Sequence, residues 1–293
     1  MSTNANPRRG EAPPPPPPLA VPVPDSHTHL DIVATWGDGP ETVPPHDPAV
    51  LGQLDAATAV GVDRIVQVGV DVASSQWAAA LAEHDDRVLA AVALHPNDAP
   101  RLADLSGALA EIEKLAQRPR VAALGETGMD FFRTEEAGRR AQEESFRAHI
   151  ALAKTHRKAL MIHDRDAHDD VLRILDDEGA PDTVVMHCFS GGADLAAECA
   201  RRGYLMSFAG NVTFKNAPRL REAAAVCPPE LLLVETDAPF MTPVPYRGRR
   251  NGPYLVPVTI RFLAELLDRD LDTVCGTVSD NARRAFGDWT DRG

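Results

Sequence analysis

The sequence predicts a single α/β domain folded as a TIM (β/α)8 barrel. Three observations predict it. Eight short apolar runs recur along the chain with longer helix-like segments between them. Runs without polar alternation suit strands buried on both faces of a parallel sheet. Eight strand–helix units fit within about 270 residues, an ordinary length for such a barrel. Histidines and carboxylates then recur where the runs end, and the C-terminal rim is where such barrels carry their sites.

The expected strands are Val21–Ser26, Arg64–Gly69, Val88–Leu94, Val121–Leu124, Ala159–Ile162, Thr183–Met186, Tyr204–Phe208 and Leu231–Val234. The intervening helices are expected over Ala49–Val60, Ser74–His84, Leu102–Gln117, Glu135–His156, Asp166–Asp177, Ala193–Arg202 and Asn216–Cys227. Glu135–His156 is the longest, with Phe146, Ile150 and Ala153 at helical spacing. Val256–Leu267 and Leu271–Phe286 close the chain as two more helices. A doubly wound open sheet is the alternative. No GxGxxG loop follows the first strand, so its nucleotide-binding form has little support.

Residues 1–22 stand apart from the barrel domain, residues 23–293. Pro13 to Pro18 form an unbroken proline run. Proline fixes φ and lacks an N–H, so a solvated tail, disordered or in polyproline II, is expected. The run also has the composition of a ligand for a partner's aromatic groove. No stretch approaches the roughly 20 apolar residues that span a bilayer, and no apolar signal-peptide core is present. Four scattered cysteines without a CxxC pair fit reduced thiols and a cytoplasmic location. A net charge of −13 argues against a protein coated in positive charge for sequence-blind nucleic-acid binding. Any polyanion must meet a local basic patch or a bound metal.

His27 and His29 end the first strand, two residues apart, so an extended chain points both side chains the same way. Glu126, His163, His187 and Asp237 each follow a later run. Each alone is weak: a strand-end histidine is usually structural, and a strand-end acid is often a helix cap. Together at one rim they make a metal site. Imidazole with carboxylate suits zinc, manganese, iron or magnesium. Four histidines and two acids are too many for one open tetrahedral ion. They suit two divalent ions sharing a bridging carboxylate, for which Glu126 is the candidate. His46, His84, His149, His156 and His168 read as surface or packing residues.

The motifs DSHTHL (Asp25–Leu30), LHPND (Leu94–Asp98), GETGMD (Gly125–Asp130), IHDR (Ile162–Arg165), HCFSG (His187–Gly191), VETDAPFMTP (Val234–Pro243) and RGRRNGPYLVP (Arg247–Pro257) stand in order. This set closely resembles the TatD family of metal-dependent deoxyribonucleases, among the amidohydrolase-like barrels. The likeness runs from about Pro24 to Phe286 and leaves out the proline-rich extension. It implies hydrolysis of DNA phosphodiesters, often from a 3′ end on single strands, with two ions such as Mg, Mn or Zn. It places His27, His29 and Asp237 on one ion, His163 and His187 on the other, and Glu126 between them. Glu126 and Asp237 become the catalytic pair, Asp237 orienting or deprotonating the attacking water. One departure is Phe131–Phe132, where the family often has a tyrosine.

His95 matches the family's HP motif and reads as a phosphate contact, a partner of a ligand, or a strand-end histidine holding a loop. Arg165 follows His163 by two and should face the same bowl, holding phosphate or pairing with a nearby acid. Arg249, Arg250 and Asn251, with Arg247, form the dense basic cluster beside the site, either a phosphate contact or a solvated loop. Phe131, Phe132, Phe189, Phe208 and Phe240 lie near strand ends, where each is a stacking surface for a base or part of the core. The leading function is a 3′–5′ exodeoxyribonuclease working as a monomer without an obligate protein partner. The alternative is hydrolysis of another ester or amide at the same site, a small phosphodiester or an aminoacyl-tRNA. A non-catalytic scaffold using the proline tail is a third reading, disfavoured by the intact ligand set.

Overall fold

The computed structural model describes residues 10–35 and 42–289. Eight parallel strands stand side by side in chain order: β1 (Val23–Thr28), β2 (Val62–Val68), β3 (Val88–Val92), β4 (Val121–Asp130), β5 (Ala159–Arg165), β6 (Val184–Met186), β7 (Leu205–Phe208) and β8 (Leu232–Val234). The helices are α1 (Leu30–Ala34), α2 (Pro48–Ala59), α3 (Val72–His84), α4 (Leu105–Ala116), α5 (Glu136–His156), α6 (His168–Glu178), α7 (Ala193–Arg202), α8 (Pro218–Val226), α9 (Val256–Leu266) and α10 (Leu271–Phe286). This is the expected barrel. Phe146, Ile150 and Ala153 of α5 are buried against it, as their spacing predicts. Burying one such phenylalanine contributes roughly 2–3 kcal/mol. Several helices start on an aspartate; Asp71 accepts the Ser74 amide in a reciprocal cap at α3.

Two of the strands run well past their apolar runs. β4 continues through Glu126 to Asp130, and β5 through His163 to Arg165. The polar residues sit inside strands because their side chains face a polar bowl, which hydropathy alone reads as the end of a strand. Register shifts break β1 between Asp25 and Thr28 and β4 between Leu124 and Thr127, at His27 and Glu126. Bulges of this kind re-aim side chains. Gly128 has φ 138°, and a Cβ there would fall 2.1 Å from the His163 carbonyl oxygen. Only glycine lets β4 approach β5 so closely.

The last seam is made beyond β8. The Asp237 amide donates to the His27 carbonyl at 3.0 Å, and the His29 amide to the Ala238 carbonyl at 2.9 Å. A parallel bridge joins Thr28 to Ala238. Closure of the sheet therefore also sets Asp237 beside His27 and His29.

The proline-rich segment departs from the expected free tail over residues 11–19. Pro13, Pro16 and Leu19 are buried while the residues between them are exposed. Burial every third residue matches the three residues per turn of polyproline II. The backbone of this segment cannot donate through its prolines, so its carbonyls are the polar groups it offers. Arg249 donates to the Ala12 carbonyl, Tyr254 to that of Pro13 and Arg261 to that of Pro18. Leu19 then donates to the Val60 carbonyl. Residues 1–9 of the expected tail lie outside the described residues. Among the described residues no helix is long and apolar enough to cross a membrane.

Candidate metal centre

Six ligand candidates converge at the C-terminal rim, around a bowl of about 580 Å³. His27 Nε2 and His29 Nε2 lie 3.1 Å apart. Asp237 Oδ1 is 3.9 and 3.8 Å from them. Glu126 Oε2 is 3.6 and 3.9 Å from the same two nitrogens. The other oxygen, Oε1, lies 2.6 Å from His163 Nδ1, 3.1 Å from His187 Nε2 and 3.4 Å from His95 Nε2. One carboxylate thus faces a different cluster of donors with each oxygen.

The donor set fits divalent cations. His29 Nδ1 meets the Val68 carbonyl at 3.1 Å, so that nitrogen carries the proton and Nε2 presents a lone pair to the site. His27 Nδ1 likewise faces the Met161 sulfur at 3.0 Å. Burial holds both imidazoles below their ordinary pKa and hence neutral. Two neutral nitrogens and two carboxyl oxygens then converge, a donor set that suits a cation. Burial also drives the Asp237 carboxyl well up. At Glu126 burial pushes the same way, but the charges of His187 and His95 overcome it and hold the group low.

Two acids that sequence reasoning missed hold the second cluster in place. Asp130 Oδ2 lies 3.2 Å from His163 Nε2. It also accepts from Asn97 Nδ2, while Oδ1 takes the Arg133 amide. Glu235 Oε1 lies 2.9 Å from His187 Nδ1 and accepts the Cys188 amide. Burial lowers the His163 imidazole, but its bonds to Asp130 and Glu126 win and raise it to about 9. A legible signal existed for both: Asp130 is four residues along the strand from Glu126, and Glu235 two before Asp237. Asp25 is a further buried acid. It accepts the Thr236 amide and hydroxyl, binding β1 to the end of β8, and burial pushes it up to about 8.

His95 joins Glu126 and His163 in a group that could hold a metal ion. Arg165 lines the bowl, its guanidinium stacked 3.9 Å above the Phe132 ring. Its expected rival role is not seen: no acid pairs with it among the described residues. Arg249, Arg250 and Asn251 do not line the bowl itself. Arg249 is spent on Ala12 and Glu11, and the Arg250 amide on the Glu11 carbonyl. Asn251 is buried and donates to the carbonyls of Thr236 and Phe240, bracing the loop that carries Asp237. Phe189 and Phe208 are core, packed on one another at 5.6 Å. Phe132 and Phe240 are exposed.

Comparison with known proteins agrees with this geometry. The family model described as TatD related DNase matches residues 24–287. The chain belongs to the TatD family. A Mycobacterium tuberculosis TatD protein described as an uncharacterized metal-dependent hydrolase is 47% identical over 267 residues, covering 90% of this chain and 97% of its own. Bacillus subtilis YabD, described in the same words, is 37% identical and is covered over 98% of its length, against 89% of this chain. The crystal structure of the Escherichia coli TatD homolog YJJV superposes with a TM-score of 0.81 at 27% identity, covering 91% of this chain and 98% of that one. The TatD chain described here is accordingly a metal-dependent hydrolase, with its candidate ligands grouped at the barrel rim.

Proposed function

We propose that this protein is a two-ion deoxyribonuclease that removes nucleotides from single-stranded 3′ ends. One observation carries the reading: Glu126 turns one oxygen to His27 and His29 and the other to His95, His163 and His187. A carboxylate so placed suits a pair of ions. His27, His29 and Asp237 would hold one; His163, His187 and His95 would surround the other. Bound divalent ions supply charge to activate water and to clamp the oxygens of a phosphodiester in displacement.

The protein's own groups do the rest. Asp237 Oδ1 borders the first cluster, 3.8 Å from His29 Nε2, so its carboxylate is placed to take the proton of an attacking water. Arg165 and the exposed Arg133 line the bowl and supply the local positive charge that the chain as a whole lacks. A guanidinium fork holds a phosphate through two oxygens and so orients the scissile bond. The four cysteines are free and three of them are buried, which supports a reducing, cytoplasmic setting. We read the working form as a monomer.

The test is cleavage of 3′-labelled single-stranded DNA, double-stranded DNA, RNA and an aminoacyl ester by protein loaded with Mg, Mn or Zn, with and without chelator. Chelator-sensitive shortening of single-stranded DNA from the labelled end is expected. Intact DNA under every metal, with turnover of another ester, sinks the nuclease reading.

A further inference from the structure

Large apolar side chains are costly to leave in water, and the chain leaves few. Among the described residues four are exposed: Phe132, Val226, Phe240 and Val244. Phe240 lines the metal bowl, and Phe132 stands beside it, stacked on the bowl residue Arg165. Phe132 follows β4 and is 62% exposed; Phe240 follows β8 and is 49% exposed. In a closed eight-stranded barrel, strands four apart stand on opposite sides of the mouth. The rings therefore flank the ligand clusters from opposing rims.

Each ring is also braced. The Arg165 guanidinium lies 3.9 Å over the Phe132 ring, so one face of that phenyl is backed by a cation. Phe240 meets His29 edge-on, with centroids 6.2 Å apart and planes at 73°. Its backbone is fixed from behind, where the Asn251 side chain donates to its carbonyl and its own amide donates to the Asp237 carbonyl. Scattered surface phenylalanines need no explanation. Two held at opposite rims of one bowl, each tied to a bowl residue, do.

We propose that Phe132 with Arg165, and Phe240 facing them, are the specificity-determining platforms of the site, stacking on unpaired nucleobases either side of the scissile phosphate. The assignment rests on the nucleic-acid reading above. Every base offers a π-face, so such platforms accept any sequence. Paired bases keep their faces inside the duplex stack, so the platforms select frayed or single-stranded ends. The chain's net charge of −13 makes this contribution more important, because backbone attraction is confined to the few arginines at the rim.

The test compares a phosphorothioate oligothymidylate with an abasic strand of equal length and charge, by fluorescence anisotropy on metal-loaded protein. Wild type is expected to bind the base-bearing strand roughly tenfold more tightly, the scale of one stacked base. Phe132→Ala and Phe240→Ala should each reduce that ratio several-fold, and Phe132→Trp should keep it. Both positions are exposed, so folding is not at stake; bound metal is counted in each variant. Equal binding of the two strands by wild type, or an unchanged ratio in both alanine variants, overturns the assignment. A base-dependent ratio with no cleavage of any DNA would instead remove the nuclease activity and leave the platforms standing.

Discussion

Asp130 Oδ2 lies 3.2 Å from His163 Nε2, on the opposite side of the imidazole from Glu126. The pair fixes which nitrogen of His163 faces the site and makes that nitrogen more basic. Asp130→Asn should keep the fold and lower metal affinity about 10–100-fold. Calorimetric titration with Mn or Zn checks it; unchanged affinity would show that Asp130 serves the fold alone.

Glu126 is the group shared between the two donor clusters. Glu126→Gln keeps its shape and removes its charge. The variant should bind fewer than two ions per chain by elemental analysis and lose hydrolysis by several orders of magnitude. Retention of two ions and of turnover would refute the bridge.

The N-terminal segment should be worth stability. Pro16→Ser exposes a buried contact of the segment, and Arg249→Ala removes its bond to Ala12. Each is expected to cost about 1 kcal/mol, lowering the melting temperature by roughly 2–4 °C. The salt dependence of DNA binding should stay as in wild type for Arg249→Ala. A flatter salt slope would return Arg249 to the substrate.

His149 on α5 gives a pH dependence from a buried group outside the ligand set. It accepts the Leu94 amide through Nε2 and meets the Ser145 carbonyl with Nδ1, and burial lowers it to about 4. The folded protein keeps this imidazole neutral while the unfolded chain protonates it near 6.5. Its contribution is therefore complete above pH 6.5 and is lost as pH falls toward 4, on the order of 3 kcal/mol in all. Urea unfolding at pH 7 and pH 5 should show wild type losing more stability on acidification than His149→Gln. Parallel losses in the two proteins would exclude His149 as the group responsible.

The barrel and the meeting of six candidate ligands at its rim were legible in the sequence for a local reason. A strand buried on both faces must be apolar throughout, and a polar residue at its end is conspicuous against that background. The resemblance of seven ordered motifs added the ion grouping by family rather than by physics. What the sequence hid was every role that depends on which groups meet across the barrel. Arg249 and Asn251 read as a basic patch beside the site, yet one is turned to Ala12 and the other to Thr236 and Phe240. The proline run reads as a free tail because its composition cannot form a core of its own, whereas the barrel wall supplies the partner surface that buries Pro13 and Pro16. Phe132 and Phe208 both lie near strand ends, and only packing exposes one and buries the other. Residue type and period thus determined the elements and the chemistry of the rim. Only the closed tertiary structure decided which side chains meet there, because hydrogen bonds and burial are satisfied between residues hundreds of positions apart, as Asp25 and Thr236 are.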